Sequence, residues 1–291
     1  MNGLIILDKP AGMTSHDVVY VVRRAAGEKS VGHLGTLDPM ATGVLPLLLG
    51  KYTRLAQFFG AAEKEYTGTI RFGWPTTTFD AEGEPTAESA PFTLNLEQLR
   101  KLASHFHGEM DQMPPVFSAK KINGVPAYKL ARAGKEAPVK AARIVIHDFQ
   151  IIALEGDTAS FSIRVSAGGY VRSVAHDLGK MAGCGAHLAS LRRTRAGDFT
   201  LAQAMTIERM RELAAEGMLE QSLPHPRTLL PQIPSVTADE AGVGRLRNGM
   251  AVNLPEFSSS PLVKIFASPR DLIGIGRRIA GTLIQPMINF G

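Results

Sequence analysis

The stretch GHLGTLDPMATGVLPLLLG, Gly32 to Gly50, places a glycine-rich loop directly before an apolar run. The run TGVLPLLLG predicts a buried strand, because a short continuous apolar segment between turn residues is typical of a strand covered on both faces. The loop carries one carboxylate, Asp38, and the proline that follows it has a fixed backbone φ angle. Functional side chains are often held on loops of this kind. Asp38 is therefore a candidate functional residue, although an ordinary Asp-Pro turn explains the same pattern.

The length of 291 residues exceeds the usual size of one hydrophobic core, which favours a large domain and a smaller one. Alternating runs such as KEYTGTIRFG predict strands and NLEQLRKLASHF predicts a helix, so the chain is expected to be mixed α/β. Prolines crowd positions 224, 226, 231 and 234, and predict a linker. Short strand-like runs follow it. The sequence thus predicts domains at 1–231 and 235–291, the second one small and rich in β-strands.

Several classes of protein are disfavoured by what the sequence contains. Cys184 is the only cysteine, which excludes an intrachain disulfide and a thiolate-rich zinc site. His105 and His107 have the wrong spacing for one face of a helix, and we expect no metal site. The start of the chain does not resemble a signal peptide, and no apolar run reaches membrane-spanning length. A cytoplasmic protein without a membrane association is expected.

Positive charge is concentrated in one segment of the chain. Lysine and arginine exceed aspartate and glutamate by 32 to 27, a net charge of +5. Segment 118–143 holds a single acid, Glu136, against the basic residues Lys120, Lys121, Lys129, Arg132, Lys135, Lys140 and Arg143. Clustered lysine and arginine bind phosphate backbones with release of counterions, so this segment predicts a nucleic-acid contact. A solvated surface is the alternative, and charge does not distinguish RNA from DNA.

The motifs taken together resemble the TruB family of bacterial tRNA pseudouridine synthases, which convert uridine 55 in the T-loop of tRNA to pseudouridine. The resemblance spans residues 3–200 and rests on the catalytic-loop pattern GHLGTLDPMATGVLP, on LDKPAGMTSHDVV, Thr76-x-Thr78-x-Asp80-x-x-Gly83, MPPVFSAKKINGVPAYKLAR, GGYVRS and CGAHLASLRRTRAG. It implies a pseudouridine synthase fold of mixed α/β (α+β) type, in which a central, mostly antiparallel sheet carries a catalytic cleft. It also implies a small PUA-like RNA-binding domain at 235–291.

The resemblance assigns roles to four residues of the predicted pocket. Asp38 falls on the catalytic aspartate, which acts as the nucleophile. Tyr66 matches the pocket tyrosine, and Arg172 matches the arginine that pairs with the carboxylate. Leu191 matches a leucine that lines the uracil pocket, and Asp80 is expected to support the pocket by hydrogen bonding. An arginine suits this role because it stays charged and bonds a carboxylate at two points.

The resemblance also implies how the RNA is held. His33 falls on the histidine that occupies the space opened when the target base flips out of its stack. An arm at about 115–140 is expected to grip the T-arm of tRNA, through Lys120, Lys121, Lys129 and Arg132.

The implied reaction breaks the N1–C1′ bond of uridine, turns the base and joins C5 to C1′. This isomerisation needs an ionised carboxylate in a fixed position and involves no redox change, so no cofactor is expected. The expected enzyme is a monomeric isomerase that acts on tRNA without a protein partner. Three alternatives stay open: a guide-dependent synthase subunit, a tRNA-folding chaperone with incidental catalysis, and a glycosidase acting on nucleosides.

Overall fold

A computed structural model of the chain describes residues 1–60, 62–115, 121–122, 125–126 and 140–290. Strands are numbered in chain order as β1 Gly3–Lys9, β2 Val31–His33, β3 Thr42–Leu49, β4 Lys64–Phe72, β5 Gly108–Gln112, β6 Lys121–Ile122, β7 Val125–Pro126, β8 Ala142–Glu155, β9 Thr158–Val165, β10 Ala186–Ala196, β11 Phe199–Thr200, β12 Ser235–Thr237, β13 Val252–Asn253, β14 Leu262–Phe266, β15 Leu272–Ala280 and β16 Leu283–Asn289.

The helices are shorter elements placed between these strands. The α-helices are α1 Ser15–Ala26, α2 Leu96–Ala103, α3 Val171–Met181, α4 Ile207–Ala215, α5 Leu219–Ser222 and α6 Glu240–Arg247. Turns of 3₁₀ helix span Gly50–Phe58, Ser104–Phe106, Leu201–Gln203 and Pro226–Thr228. No helix in the part of the chain that the structure describes is both long and apolar enough to cross a membrane.

Among the described residues, nine strands form one large sheet, with the order β1-β3-β10-β4-β9-β8-β5; β2 pairs with β3, and β11 with β10. The β3–β10 pair is parallel and the other pairs are antiparallel. The sheet is therefore dominated by antiparallel pairing, and the predicted mixed α/β class is confirmed. Gly43 of β3 lies so close to β10 that a Cβ atom there would lie 2.2 Å from the carbonyl oxygen of Arg193.

The two faces of the large sheet bury different cores, as the alternation of side chains along a strand requires. Ile5 and Leu7 of β1 point to the core that includes Val18 of α1 and Val174 of α3. Leu4 and Ile6 of β1 point to the opposite core. Helices α1 to α5 all contribute buried residues to the first of these cores, so they cover one face of the large sheet.

A second, β-rich unit lies at the C-terminal end of the chain. Its sheet has the strand order β12-β14-β15-β16-β13, and a small core of its own includes Val263 and Ile284. Phe266 and Phe290 of this unit join the core on the second face of the large sheet, together with Leu229 and Leu230. The C-terminal β-domain that the sequence predicted is present, and it shares apolar packing with the large sheet.

Phe290 is expected to couple the stability of the two sheets. Its side chain is 5% exposed, its ring lies 5.3 Å from that of Tyr52, and its carbonyl accepts a hydrogen bond from Lys51 Nζ at 2.6 Å. Truncating a buried phenylalanine costs about 3–5 kcal/mol, so Phe290→Ala should lower the free energy of unfolding by that amount in urea titrations. Phe257 is 84% exposed and provides the control, since Phe257→Ala should change it by less than about 0.5 kcal/mol. Equal losses in the two variants would contradict the shared core.

Candidate active site

The loop between β2 and β3 carries Asp38, and segments from the start of the chain hold it. Lys9 is fully buried, and its Nζ donates hydrogen bonds to the carbonyls of Met13 at 2.6 Å and Pro39 at 3.1 Å. The Ser15 hydroxyl donates to the Leu37 carbonyl at 3.1 Å and accepts from the Leu37 amide at 2.8 Å. Burial lowers the pKa of Lys9 to about 8. The backbone on both sides of Asp38 is thereby fixed.

Arg193 of β10 holds the other end of the same loop. Its side chain is 1% exposed and donates to backbone carbonyls of Val44 at 2.7 Å, Gly35 at 3.1 Å and Thr36 at 3.4 Å. Its acceptors within the described part of the chain are all carbonyl groups. Arg193 therefore brings a buried positive charge beside the loop while ordering its backbone.

Asp38 and Arg172 form a two-point ion pair. Arg172 Nη2 donates to Asp38 Oδ1 at 3.0 Å, and Arg172 Nε lies 2.9 Å from Oδ2. The Arg172 side chain is 5% exposed, whereas that of Asp38 is 31% exposed. The guanidinium thus forms the buried wall of the site, and the carboxylate presents its free side to solvent. Paired contacts of this type fix orientation as well as charge.

The electrostatics of Asp38 reflect opposing influences. Burial raises the pKa of its carboxyl above the ordinary value, the Arg172 guanidinium opposes that rise, and the nearby Asp80 carboxylate adds to it. Burial disfavours the charged form of an acid, and an adjacent cation favours it. Arg172 therefore limits the rise in the pKa of Asp38 and favours the ionised carboxylate, the form that acts as a base or nucleophile.

Asp80 supports Arg172 from the other side. Arg172 Nη1 donates to Asp80 Oδ2 at 3.2 Å and to the Thr78 carbonyl at 3.0 Å. Asp80 Oδ1 accepts from the Thr78 hydroxyl at 2.5 Å and from the Glu82 amide at 3.1 Å. Asp80 is buried, and both of its carboxylate oxygens accept hydrogen bonds in this way. Asp80, Arg172 and Asp38 therefore form a connected polar network that fixes the position of the Asp38 carboxylate.

The loop that carries Asp80 is anchored by a strained residue. Phe79 has a backbone φ of 65°, which is uncommon for a side chain with a Cβ atom. Its ring stacks on that of His176 at 3.7 Å between centroids, with an angle of 13° between the planes. His176 lies one helical turn after Arg172 on α3, so both side chains contact the same loop. The Phe79 carbonyl accepts from the Leu188 amide at 3.0 Å.

The start of α3 is fixed by a side chain from β5. The Gln112 amide group donates to the Tyr170 carbonyl at 3.0 Å and accepts from the Tyr170 amide at 2.7 Å. Tyr170 immediately precedes the first residue of α3, and Gln112 is buried. Because Arg172 lies in the first turn of this helix, the contact restrains the guanidinium as well.

Asp38 lines a cavity of about 460 Å³. Tyr66 of β4 and Leu191 of β10 line it together with Arg172, Pro114 and Tyr170. Tyr66 and Leu191 are both buried. The structure thus brings together Asp38, Tyr66, Arg172 and Leu191 around one cavity, with Asp80 directly behind Arg172. Their roles in chemistry stay predictions.

Among the residues predicted to bind RNA, the structure describes the side chain of His33, which is not among the residues that line this cavity. His33 ends β2, and its Nδ1 accepts a hydrogen bond from the Gly35 amide at 3.3 Å. Burial and the charge of Arg193 lower the pKa of His33, so the neutral ring is favoured. Lys120, Lys129 and Arg132 lie outside the described residues, and only the backbone of Lys121 is described, in β6.

Sequence reasoning missed Lys9, Arg193 and the Phe79–His176 stack. Lys9 and Arg193 donate hydrogen bonds to backbone carbonyls. Because every residue has a backbone carbonyl, no residue pattern in the sequence identifies these acceptors. The resemblance motifs LDKPAGMT and LRRTR contain both residues and were the available signal. In the described part of the chain, no three His, Cys, Asp or Glu side chains are grouped so that they could hold a metal ion.

Comparisons with known proteins agree with this geometry. The model described as TruB family pseudouridylate synthase (N terminal domain) matches residues 23–171, and that of the tRNA pseudouridylate synthase B C-terminal domain matches residues 172–232. A tRNA pseudouridine synthase B of Solibacter usitatus is 45% identical over 291 residues, which cover 99% of each chain. One from an Azoarcus species is 38% identical over 283 residues, covering 97% of this chain and 93% of the relative.

Solved structures support the fold. A Cbf5-Nop10-Gar1 complex contains a chain that is similar at a TM-score of 0.70 and 25% identity, covering 99% of this chain and 85% of that one. A chain of an H/ACA RNP bound to a substrate RNA containing 2′-deoxyuridine is similar at a TM-score of 0.70 and 23% identity, with the same coverage. Since the N-terminal family model covers more than half of this sequence and the relatives span nearly all of it, the chain belongs to the TruB family of pseudouridylate synthases, and it is an isomerase.

Proposed function

We propose that this protein is a tRNA pseudouridine synthase that isomerises uridine 55 in the T-loop, with Asp38 as the catalytic nucleophile. The observation that carries the proposal is the partly buried Asp38 carboxylate, held at two points by a buried arginine and lining a cavity. The relatives that match nearly the whole chain are named tRNA pseudouridine synthase B. That name supports tRNA as the substrate.

The reaction rearranges bonds within one nucleotide. The bond between N1 and C1′ breaks, the detached uracil turns, and a new bond joins C5 to C1′. The proton on C5 then leaves, and N1 gains one. The Asp38 carboxylate either adds to C1′ or removes the proton from C2′, and both routes require the ionised form. Arg172 favours this ionised form of Asp38 and fixes the orientation of its carboxylate.

Tyr66 and Leu191 form the base-binding part of the proposed site. Both are buried residues of adjacent strands, and both line the cavity that contains Asp38. An aromatic ring and a leucine side chain offer apolar surface on which a uracil ring packs. In this proposal the Tyr66 hydroxyl lies near C5 of the base and the Leu191 side chain packs against the uracil ring.

In this proposal the two sheets belong to domains with different functions. Residues 1–231 carry the reaction, the arm at about 115–140 grips the T-arm, and residues 235–291 form a PUA-like domain that adds RNA contacts. The separate sheet and core of the C-terminal unit support this division.

Tritium release tests the reaction and its position together. A tRNA transcript that contains 5-tritiated uridine loses tritium when C5 forms its bond to C1′. We expect wild-type protein to release the tritium of one uridine per tRNA, and a transcript with cytidine in place of uridine 55 to release none. Tight tRNA binding with no release would contradict the enzymatic proposal and favour a chaperone. Release of free uracil would indicate a glycosidase.

His33→Ala is expected to impair base flipping more than tRNA binding. Flipping a stacked base costs a few kcal/mol, and a side chain that fills the gap offsets part of this cost. The variant should reduce the fluorescence change of a 2-aminopurine placed beside the target uridine by about tenfold, with tRNA affinity changed less than about threefold. His105→Ala, an exposed site on the 3₁₀ helix after α2, is the control. An unchanged flipping signal at full rate would exclude the role.

A further inference from the structure

Gly35, Lys64 and Arg193 surround a small open space beside the catalytic loop. A Cβ atom built on Gly35 would lie 3.6 Å from Arg193 Nη1 and 3.9 Å from Lys64 Cε. Gly35 has a φ of 134°, a conformation that side chains rarely adopt. We call this space the Gly35 cradle. Two cations from neighbouring strands flank it, and the absence of a side chain leaves it open.

The two cations of the cradle have no acidic partner among the described residues. The neighbouring acids pair elsewhere: Glu63 lies 2.9 Å from His147 and 3.2 Å from Arg164, and Glu65 lies 3.4 Å from Arg195. Burial and the charge of Arg193 lower the pKa of Lys64, as expected for two like charges brought together. Buried charges are costly unless they are paired, so this arrangement favours an anion.

Hydrogen-bond donors remain available in the cradle. Arginine has five N–H donors, and the described contacts of Arg193 use three of them, to Val44, Gly35 and Thr36. Lysine has three, and Lys64 uses one, to the Ala62 carbonyl at 2.5 Å. Several N–H groups are therefore left for a ligand with more than one acceptor oxygen.

The position of the cradle indicates which anion reaches it. Gly35, Lys64 and Arg193 line the same cavity as Asp38. Lys64 also lines a second cavity of about 700 Å³, so this residue borders both cavities. A nucleotide in the Asp38 cavity carries a phosphate on each side, and each phosphodiester has one negative charge and two free oxygens.

We propose that the Gly35 cradle binds a backbone phosphate adjacent to the target uridine, through Lys64 and Arg193. The inference rests on the proposed RNA substrate and extends it to one phosphate and two side chains. Lys64 is a binding residue in this account. Arg193 contributes charge there in addition to ordering the loop. The contact positions the sugar of the flipped nucleotide relative to Asp38.

Neutral RNA linkages test the site directly. A T-arm stem-loop is made with a single methylphosphonate at each linkage near the target uridine in turn. A 2′-O-methyl group on the preceding nucleotide prevents cleavage, and the same RNA with an ordinary phosphate is the reference. Wild-type protein should lose about tenfold in affinity at one linkage flanking the target, as expected for a charge-assisted contact. For Lys64→Met, the methylphosphonate at that linkage should lower the affinity by less than about twofold relative to the reference RNA. At the other linkages the methylphosphonate should change the affinity of Lys64→Met as much as it changes that of wild type.

Salt dependence and matched variants complete the test. Lys64→Met should bind the unmodified stem-loop about tenfold more weakly and reduce the slope of log Kd against log salt by about 0.7 to 0.9. Lys64→Arg should restore both values. Lys101→Met, at an exposed position on α2, should change neither. If each methylphosphonate changes the affinity of wild type and of Lys64→Met equally, the proposed phosphate site is wrong. The proposed function would still stand in that case if wild type releases tritium. Wild type that neither binds the stem-loop nor releases tritium would overturn both.

Discussion

Asp38→Asn is expected to lower kcat for tritium release by on the order of 10⁴ to 10⁶, the loss seen when a catalytic nucleophile is removed. Asparagine has nearly the same shape as aspartate, yet it neither adds readily to C1′ nor accepts a proton from C2′. Single-turnover measurements with excess enzyme give the chemical rate directly. The affinity for tRNA should change by less than about threefold, because the network behind the carboxylate keeps its other members.

Two controls make the result specific to Asp38. Asp157→Asn removes an aspartate that is 43% exposed and pairs with Arg71 on the surface, and it should retain the wild-type rate. The unfolding midpoint of Asp38→Asn should stay close to that of wild type. A variant with more than about a tenth of the wild-type rate would exclude Asp38 as the nucleophile.

Arg172→Met should destabilise the protein and inactivate it through the same network. The variant leaves the Asp80 carboxylate buried without its cation, and breaking a buried pair on one side costs about 3–5 kcal/mol. The kcat should fall by about 10² to 10³, the effect of removing one preorganised electrostatic group. Because Arg172 opposes the rise in the pKa of Asp38, its loss should raise that pKa further. The rising limb of kcat/KM against pH should therefore move to higher pH.

A double variant separates the stability effect from the catalytic effect. Arg172→Met combined with Asp80→Asn removes the unpaired buried charge, so the unfolding midpoint should recover much of its loss. The activity should stay low, since Asp38 still lacks its partner. Arg172→Lys keeps a positive charge without the planar two-point contact, and it should recover the pH profile better than the rate. Wild-type activity in Arg172→Met would exclude the proposed electrostatic role.

Local patterns predicted individual strands of the large sheet correctly. The alternation in KEYTGTIRFG predicted β4, which spans Lys64–Phe72, and the apolar run after the catalytic loop predicted β3. The segment KYTRLAQFF lies largely within a 3₁₀ helix, Gly50–Phe58, and not in an α-helix. A side-chain pattern does not distinguish the two over so short a length, because both place residues three apart on one face.

The site was harder to predict from local patterns. Asp38 and Arg172 are separated by 134 residues in the sequence, and only the resemblance to a family placed them together. The proline-rich segment near residue 231 was interpreted as a linker, whereas Leu229 and Leu230 are buried in the core that the two sheets share. Proline content reports backbone restriction, and it does not report what the flanking side chains contact. Domain boundaries at 231 and 235 stay a prediction.

The strand order β1-β3-β10-β4 has a consequence for how the chain is synthesised and folded. On the ribosome, β3 and β4 emerge long before β10, the strand that separates them in the native sheet. Until then both strands expose unpaired edges, which are templates for association with other chains. Arg193 reaches the catalytic loop only when β10 inserts. Nascent chains are therefore expected to be inactive and prone to aggregation until about two thirds of the protein has been made, and the appearance of activity would report completion of the sheet.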